Sequence, residues 1–150
     1  MTAAQGPIAD AVRDGTLPGR VWLYSNYHCN LACSYCLTES SPRSERRELT
    51  AAQMIAVAEQ AKELGFTALG ITGGEPFLLP WLPEAVVEMV QHLPLVLLNN
   101  GTLFVGERLE RAAKLAHPGI ALQISLDPHP PDINVTARGP DNFSKVVESV

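Results

Sequence analysis

The sequence predicts an α/β fold in which a parallel sheet carries helices on its outer side. Short apolar segments rich in valine, leucine and isoleucine alternate four times with helical segments. This spacing is that of βαβ units, which build parallel sheets with right-handed crossovers. The polar segments of interest follow the strands directly, and folds of this class bind ligands at the carboxyl ends of their strands. We therefore expect one site at that end of the sheet.

Four strands are expected, at residues 21–27, 66–72, 95–99 and 120–126. In the fourth strand, isoleucine and leucine alternate with polar residues, which places Gln123, Ser125 and Asp127 together on the inner face. Polar side chains on an inner face carry a desolvation cost unless a polar ligand meets them. Trp22 and Tyr24, on the first strand, are expected to be packing residues.

Helices are expected at residues 7–14, 51–64, 83–93 and 106–116, and a last helix begins near residue 142. Thr50 and Gln53 form a capping-box pattern at the start of the second helix. On the helix over 106–116, an inward-facing stripe is expected, formed by Leu109, Ala112, Ala113 and Ala116. The proline-rich residues between the fourth strand and the last helix are expected to form a loop.

The composition is that of a single globular domain. The chain has 150 residues, of which 46% are hydrophobic and 18% are charged, and its net charge is -5. This acidic balance gives no electrostatic reason to expect a nucleic-acid partner. The N-terminus lacks the basic and apolar regions of a signal peptide, and no apolar stretch of about twenty residues occurs. We therefore expect no membrane partner and a location in the reducing cytoplasm.

Cys29, Cys33 and Cys36 are the only cysteines of the chain. Three thiols cannot form two disulfides, and one disulfide would leave a reactive third thiol. Closely spaced cysteines without secretory features indicate thiolate ligation of a metal, and sulfur donors suit zinc or an iron–sulfur cluster. The zinc interpretation needs a fourth ligand such as His28, which is adjacent to Cys29 and poorly placed to reach the same ion. In a cluster of four irons, three thiolates would leave one iron without a protein ligand.

The cysteine spacing, C-x3-C-x2-C with Tyr35 before the last cysteine, resembles that of the radical S-adenosylmethionine (SAM) enzymes. Four further segments match motifs of that family in the family's order. They are Gly73-Gly74-Glu75-Pro76, which matches GGEP, Asn100-Gly101-Thr102, which matches NGT, Ser125-Leu126-Asp127, which matches SLD, and Arg138-Gly139 with Phe143, which match R-G-x-x-x-F. The resemblance extends from about residue 21 to residue 143 and is greatest to the SPASM-type, peptide-modifying branch.

The resemblance implies an open barrel of six β/α units, of which four are visible, so the chain would be a partial barrel. Residues 1–20 would be an N-terminal extension, and residues 21–150 the partial barrel, incomplete at its C-terminus. It also implies a 4Fe-4S cluster held by Cys29, Cys33 and Cys36, and SAM as second cofactor. The implied SAM-binding residues are Tyr35, Gly73, Gly74, Glu75, Pro76, Asn100, Ser125, Asp127 and Arg138. No residue is assigned a catalytic role.

The activity implied by the resemblance is reductive cleavage of SAM, which starts radical modification of a substrate. An electron donor resembling flavodoxin or ferredoxin would be one partner, and a peptide, protein or small molecule would be the substrate. A glycyl-radical activase or a cofactor-biosynthesis enzyme is also compatible with these motifs. The alternative function is a structural or interaction module that binds zinc or an inert cluster and has no catalytic activity.

Overall fold

The fold is built on a four-stranded parallel sheet in the order β1-β2-β3-β4. The computed structural model describes residues 5–127 and 131–149. The strands are β1 (Arg20–Tyr24), β2 (Ala68–Thr72), β3 (Leu95–Asn99) and β4 (Ile120–Ile124). Each strand pairs with the next along the chain. The predicted α/β class and parallel sheet are therefore confirmed.

Helices precede, connect and follow the strands. They are α1 (Pro7–Arg13), α2 (Ala51–Glu63), α3 (Leu82–Met89), α4 (Glu107–Ala112), α5 (Pro131–Arg138) and α6 (Asn142–Ser149), with 3-10 turns at Pro76–Leu78 and Ala113–Leu115. The predicted capping box of α2 is present, because Thr50 and Gln53 each accept a backbone N–H from the other. Among the described helices, none is long and apolar enough to cross a membrane.

The hydrophobic core lies between the sheet and the helices. Leu69, Ile71 and Leu97 point to this side from β2 and β3 and are fully buried, as are Met54 of α2 and Val86 of α3. The residues between them on each strand face the opposite side of the sheet. On this inner face, the strand register pairs one residue from each strand in a row across the sheet: Trp22, Gly70, Val96 and Ala121. The sheet thus packs on one face and lines a cavity with the other.

The inward stripe expected on the helix over 106–116 is wrong in part. Ala112 is buried as expected, but Leu109, Ala113 and Ala116 are exposed and Leu115 is buried, because α4 tightens into a 3-10 turn and the stripe of inward residues shifts around the axis. Trp22 and Tyr24 pack as expected, against Gly70 and Tyr27, but they do so on the inner face of β1 with exposed fractions of 45% and 46%, outside the core. The core residue of that strand is Leu23.

The segment after β4 also departs from the prediction, because a loop was expected where α5 forms. Proline is well suited to the first turn of a helix, since it has no N–H to satisfy and its φ is already helical, and α5 begins at Pro131. The helix ends at Arg138, and the residue after it, Gly139, has a φ of 100°, which is favourable for glycine. The predicted last helix, α6, begins at Asn142 as expected.

Candidate functional site

One cavity of about 550 Å³ opens at the carboxyl ends of the strands. All three cysteines line it. The other lining residues come from the strand ends and the loops that follow them, and they are Trp22, Tyr24, Leu31, Tyr35, Leu37, Thr38, Ser40, Thr72, Gly73, Gly74, Leu98, Asn99, Asn100, Ser125 and Arg138. The predicted convergence of several strand ends on a single site is therefore seen in the structure.

The glycine turn, residues 73–76, is held against the segment that leads into the cysteines. Gly74 N–H donates to the carbonyl of Asn26 over 2.8 Å, and Glu75 N–H donates to the carbonyl of His28 over 3.0 Å. A Cβ on Gly74 would lie 2.1 Å from that His28 oxygen, and a Cβ on Gly73 would lie 2.4 Å from the Asn26 oxygen. The glycines are thus required for close approach of two backbone segments.

The Glu75 carboxylate links the turn after β2 to the turn after β3. One oxygen accepts the N–H of Phe77 at 2.9 Å and the other accepts the N–H of Asn100 at 2.8 Å. Glu75 is only 1% exposed. Burial raises its pKa to about 7, although both backbone hydrogen bonds favour the ionised form. The carboxylate therefore positions Asn100 and does not line the cavity.

Asn100 connects this turn to the cysteine loop, which we define as residues 28–36. Its side-chain amide donates to Asn30 Oδ1 over 2.9 Å and lies 3.9 Å from Cys29 Sγ. Its Oδ1 accepts the Thr102 hydroxyl at 2.7 Å, and Asn30 donates to the same hydroxyl oxygen at 2.8 Å. Hydrogen bonds thus run without a break from Glu75 through Asn100 to the first cysteine.

The three cysteines are free thiols in different surroundings. Burial raises the pKa of Cys29 and that of Cys33. Burial acts in the same direction on Cys36, but hydrogen bonds from Thr38 and Ser40 outweigh it and lower the pKa of that thiol. The Thr38 hydroxyl lies 3.3 Å from Cys36 Sγ and 2.7 Å from the Ser40 hydroxyl. Cys36 is therefore the thiol most readily ionised.

Within residues 5–127 and 131–149, no three His, Cys, Asp or Glu side chains come close enough together to hold one metal ion. His28, considered as a fourth zinc ligand, is absent from the cavity lining, and its buried Nδ1 has no described hydrogen-bond partner. Three thiolates that each bind a different iron of a cube lie farther apart than three thiolates on one ion. Sulfur donors around a shared cavity therefore fit a cluster better than a single zinc.

A second group of polar side chains joins the cysteine loop to the far side of the cavity. The Tyr35 hydroxyl donates to Asp127 Oδ2 over 2.6 Å, and Arg138 donates to the same carboxylate from Nε at 2.6 Å and from Nη2 at 3.4 Å. Burial opposes ionisation of Asp127, but Arg138 and Tyr35 outweigh it and lower the pKa of the carboxyl. Burial and the bond to Asp127 raise the pKa of Tyr35 to about 12. We call these three residues the Asp127 triad.

The structure brings most of the predicted site residues to the cavity wall. Tyr35, Gly73, Gly74, Asn100, Ser125 and Arg138 line it together with the cysteines, whereas Glu75, Pro76 and Asp127 lie behind it. Sequence reasoning missed Trp22, Tyr24 and Thr38. Side chains alternate between the two faces of a strand, so the position of Leu23 in the core was a signal that Trp22 and Tyr24 lie on the inner face. No such signal exists for Thr38, because its contact with Cys36 depends on the geometry of the loop.

Comparison with known proteins decides the family. Residues 23–150 match the family model described as the Radical SAM superfamily. The chain belongs to that superfamily. Its members use a 4Fe-4S cluster and SAM, and three free thiols on one cavity wall are a donor set that fits such a cluster.

The similar proteins are enzymes with different substrates. A probable GTP 3',8-cyclase of Archaeoglobus fulgidus is 35% identical over 101 residues, which are 66% of this chain and 32% of that protein. The mycofactocin maturase MftC of Mycobacterium ulcerans is 30% identical over 125 residues, 83% of this chain and 33% of that protein. The chain therefore spans about a third of the length of these relatives.

A solved structure supports the fold assignment. SuiB of Streptococcus suis bound to S-adenosylmethionine superposes with a TM-score of 0.69 at 23% identity, over 91% of this chain and 33% of that one. At this level of identity the likeness shows the fold, which is the partial barrel of radical SAM enzymes. The expected fold class is confirmed in full.

Proposed function

We propose that this chain forms the cluster- and SAM-binding part of a radical SAM enzyme that modifies a peptide. The observation that supports this most directly is the meeting of Cys29, Cys33 and Cys36 with the glycine turn around one cavity, in a chain of this family. Residues 21–150 would be the partial barrel that carries the site, and residues 1–20, with α1, an extension to it.

In this proposal, Cys29, Cys33 and Cys36 would hold a 4Fe-4S cluster, and SAM would bind beside it. When bound, the two cofactors supply reductive cleavage of SAM, which starts radical chemistry on the substrate. Asn100 Nδ2 near Cys29 and the Thr38 hydroxyl near Cys36 would orient these ligands, since groups that hydrogen-bond to metal ligands fix their geometry. The buried Cys29 also keeps water from that side of the site.

SAM would lie along the cavity wall between the glycine turn and β4. Backbone carbonyls of the turn are acceptors suited to the amino group of its methionine part, and Glu75 and Pro76 would hold the turn in place. Ser125 would contact the ribose. The backbone beside Tyr35 would meet the adenine, and Arg138 would attract the carboxylate while Asp127 keeps the guanidinium in place.

A peptide substrate is supported by the relatives. MftC is a maturase, and a structure of SuiB holds its precursor peptide SuiA; that structure has a TM-score of 0.70 and 22% identity over 93% of this chain and 32% of the other. The NGT and R-G-x-x-x-F segments point the same way. An electron donor resembling flavodoxin or ferredoxin would reduce the cluster, and the reducing cytoplasm would keep the three thiols free.

Anaerobic reconstitution of the full chain with iron and sulfide tests the proposal. We expect a brown protein with about four irons per chain that cleaves SAM when reduced. Cys33→Ala should lose the cluster, because two thiolates cannot anchor it, whereas Ser34→Ala, a matched change within the same loop, should load normally. A colourless protein with a single zinc would instead support the non-catalytic module, and normal iron loading by Cys33→Ala would refute the ligand assignment.

A further inference from the structure

We propose that the Tyr35 hydroxyl is a positioning group for SAM, because it fixes the orientation of the Asp127 carboxylate and, through it, that of the Arg138 guanidinium. This inference rests on the proposed function. It assigns a role to the Tyr35 hydroxyl oxygen, which a phenylalanine at this position would lack. The role is indirect: Tyr35 would act on SAM through the Asp127 triad.

The geometry of the triad carries the first step. Asp127 Oδ2 accepts two short hydrogen bonds of 2.6 Å, one from the Tyr35 hydroxyl and one from Arg138 Nε. Because both donors share one oxygen, rotation of the carboxylate would break both bonds. The side chain of Arg138 is 9% exposed and that of Asp127 is 20% exposed, so the carboxylate itself has limited access to water, although Tyr35 is 51% exposed. The hydroxyl therefore fixes the orientation of the carboxylate.

The second step concerns what remains when the hydroxyl is removed. The Arg138 guanidinium lies 5.6 Å from the centre of the Tyr35 ring, and Ser34 N–H donates to the Ala137 carbonyl of α5 over 3.0 Å. Neither contact needs the hydroxyl. A Tyr35→Phe protein should therefore keep the cysteine loop next to α5 and load its cluster, while Asp127 retains Arg138 alone.

The third step links this orientation to SAM. Arg138 lines the cavity, whereas Asp127 lies behind it and uses Nε and Nη2 of the guanidinium. The SAM carboxylate would bind the part of the guanidinium that Asp127 does not use, which includes Nη1. If the Asp127 carboxylate turns toward the cavity, its negative charge would repel the SAM carboxylate. If it turns the other way, it would draw Arg138 away from the SAM carboxylate. Loss of the Tyr35 hydroxyl should then weaken SAM binding without removing any group that contacts SAM.

The test compares Tyr35→Phe with wild type and with Tyr27→Phe in the full chain, reconstituted anaerobically. Tyr27 is a matched control, since its ring stacks on that of Tyr24 and lies against Arg47, away from the triad. We expect equal iron content in all three proteins. The Kd for SAM should rise about tenfold in Tyr35→Phe and stay within about twofold of wild type in Tyr27→Phe. The change that SAM causes in the electron paramagnetic resonance spectrum of the reduced cluster should require correspondingly more SAM.

A double-mutant cycle separates positioning through Asp127 from a general structural role. In an Asp127→Ala background, Tyr35→Phe should have no further effect on the Kd. Additive effects, or a Tyr35→Phe protein with full iron and an unchanged Kd, would overturn the inference and leave the proposed function intact. A wild-type chain that loads iron but does not bind SAM would overturn both.

Discussion

The two sides of the cavity are held in different ways. On the side of β2, the glycine turn is bonded through its backbone to residues 26–28, and the fully buried carboxylate of Glu75 secures it. On the side of β4, an ion pair between Asp127 and Arg138 does the corresponding work, and it is partly exposed. The first side is thus held by the backbone and a buried carboxylate, whereas the second side is held by side chains alone.

This difference suggests a division of labour. The rigid side sets the position of the cysteine loop, and in the proposed function it would thereby position the cluster before any ligand arrives. The β4 side depends on the orientation of three side chains, of which Tyr35 is 51% exposed and Asp127 is 20% exposed. Changes on the rigid side should therefore lower the stability of the chain, and changes on the β4 side should act mainly on SAM binding.

The largest effect is expected for Gly74→Ala. The added Cβ would lie 2.1 Å from the carbonyl oxygen of His28, a backbone atom that cannot move without breaking the bond from Glu75 N–H. We expect the free energy of unfolding to fall by about 3 kcal/mol or more. Urea unfolding of the chain, followed by circular dichroism, measures this.

Gly19→Ala is the matched control for that change. Its Cβ would meet only the Thr67 side chain, whose Oγ1 would lie at 2.8 Å. That hydroxyl can rotate away by giving up its exposed hydrogen bond to the Gly19 carbonyl, at a cost of about 1 kcal/mol. Equal losses in the two variants would show that the close approach at Gly74 has no special importance.

The next effect is a pH dependence carried by Glu75. In the unfolded chain this carboxyl ionises near 4.5, whereas burial raises its pKa in the folded chain to about 7. Between these values the folded state binds more protons than the unfolded state, so stability falls as pH rises from about 4.5 to about 7 and is level above that. The expected loss is about 3 kcal/mol.

Urea unfolding at pH 5 and pH 8 checks this, with Glu75→Gln as comparison. Glutamine cannot ionise, so this variant should be less pH-dependent by about that amount, although its amide must oppose one backbone N–H and lowers stability at both pH values. Identical pH dependence in the two proteins would contradict the burial argument.

A smaller effect is expected for Gly70→Ala. The Trp22 ring covers Gly70 on the inner face of the sheet, and a Cβ there would lie 2.3 Å from a ring carbon. Because Trp22 is 45% exposed, its ring can turn into the cavity, and we expect a loss of about 1–2 kcal/mol. In a Trp22→Ala background the cost should nearly vanish. A cost that persists there would show that Gly70 is required for some other reason.

These cases show how far the sequence can be used for prediction. Strand positions were predicted from local patterns, and the bounds of β3 were predicted to the residue. The alternation of apolar residues and the prolines and glycines that end a segment are both local properties of the sequence. The pairing of Trp22 with Gly70 depends on the register between strands 48 residues apart, which no local pattern specifies. The helix at α5 was missed because prolines were interpreted as breakers, and one of them instead begins the helix.

The candidate site was predictable to a similar degree. Motif resemblance identified the residues, and the parallel fold explained why they converge. It could not tell which of them face the cavity: Glu75 and Asp127 lie behind the wall and act on Asn100 and Arg138. Burial and hydrogen-bond partners decide that distinction, and both arise from the packing of distant segments.

The smallest effect on stability is expected for Asp127→Asn, on the β4 side of the cavity. Asparagine keeps an oxygen that can accept from Tyr35 or Arg138, and solvent screens part of the lost charge, so the free energy of unfolding should fall by about 1 kcal/mol or less at pH 7. Because Arg138 lowers the pKa of Asp127, this small contribution is present above pH 4 or so and is lost as pH falls through the lowered pKa. Urea unfolding at pH 7 and pH 3 measures both. A loss as large as that of Gly74→Ala would show that the β4 side is as rigid as the β2 side, and the division of labour between them would not hold.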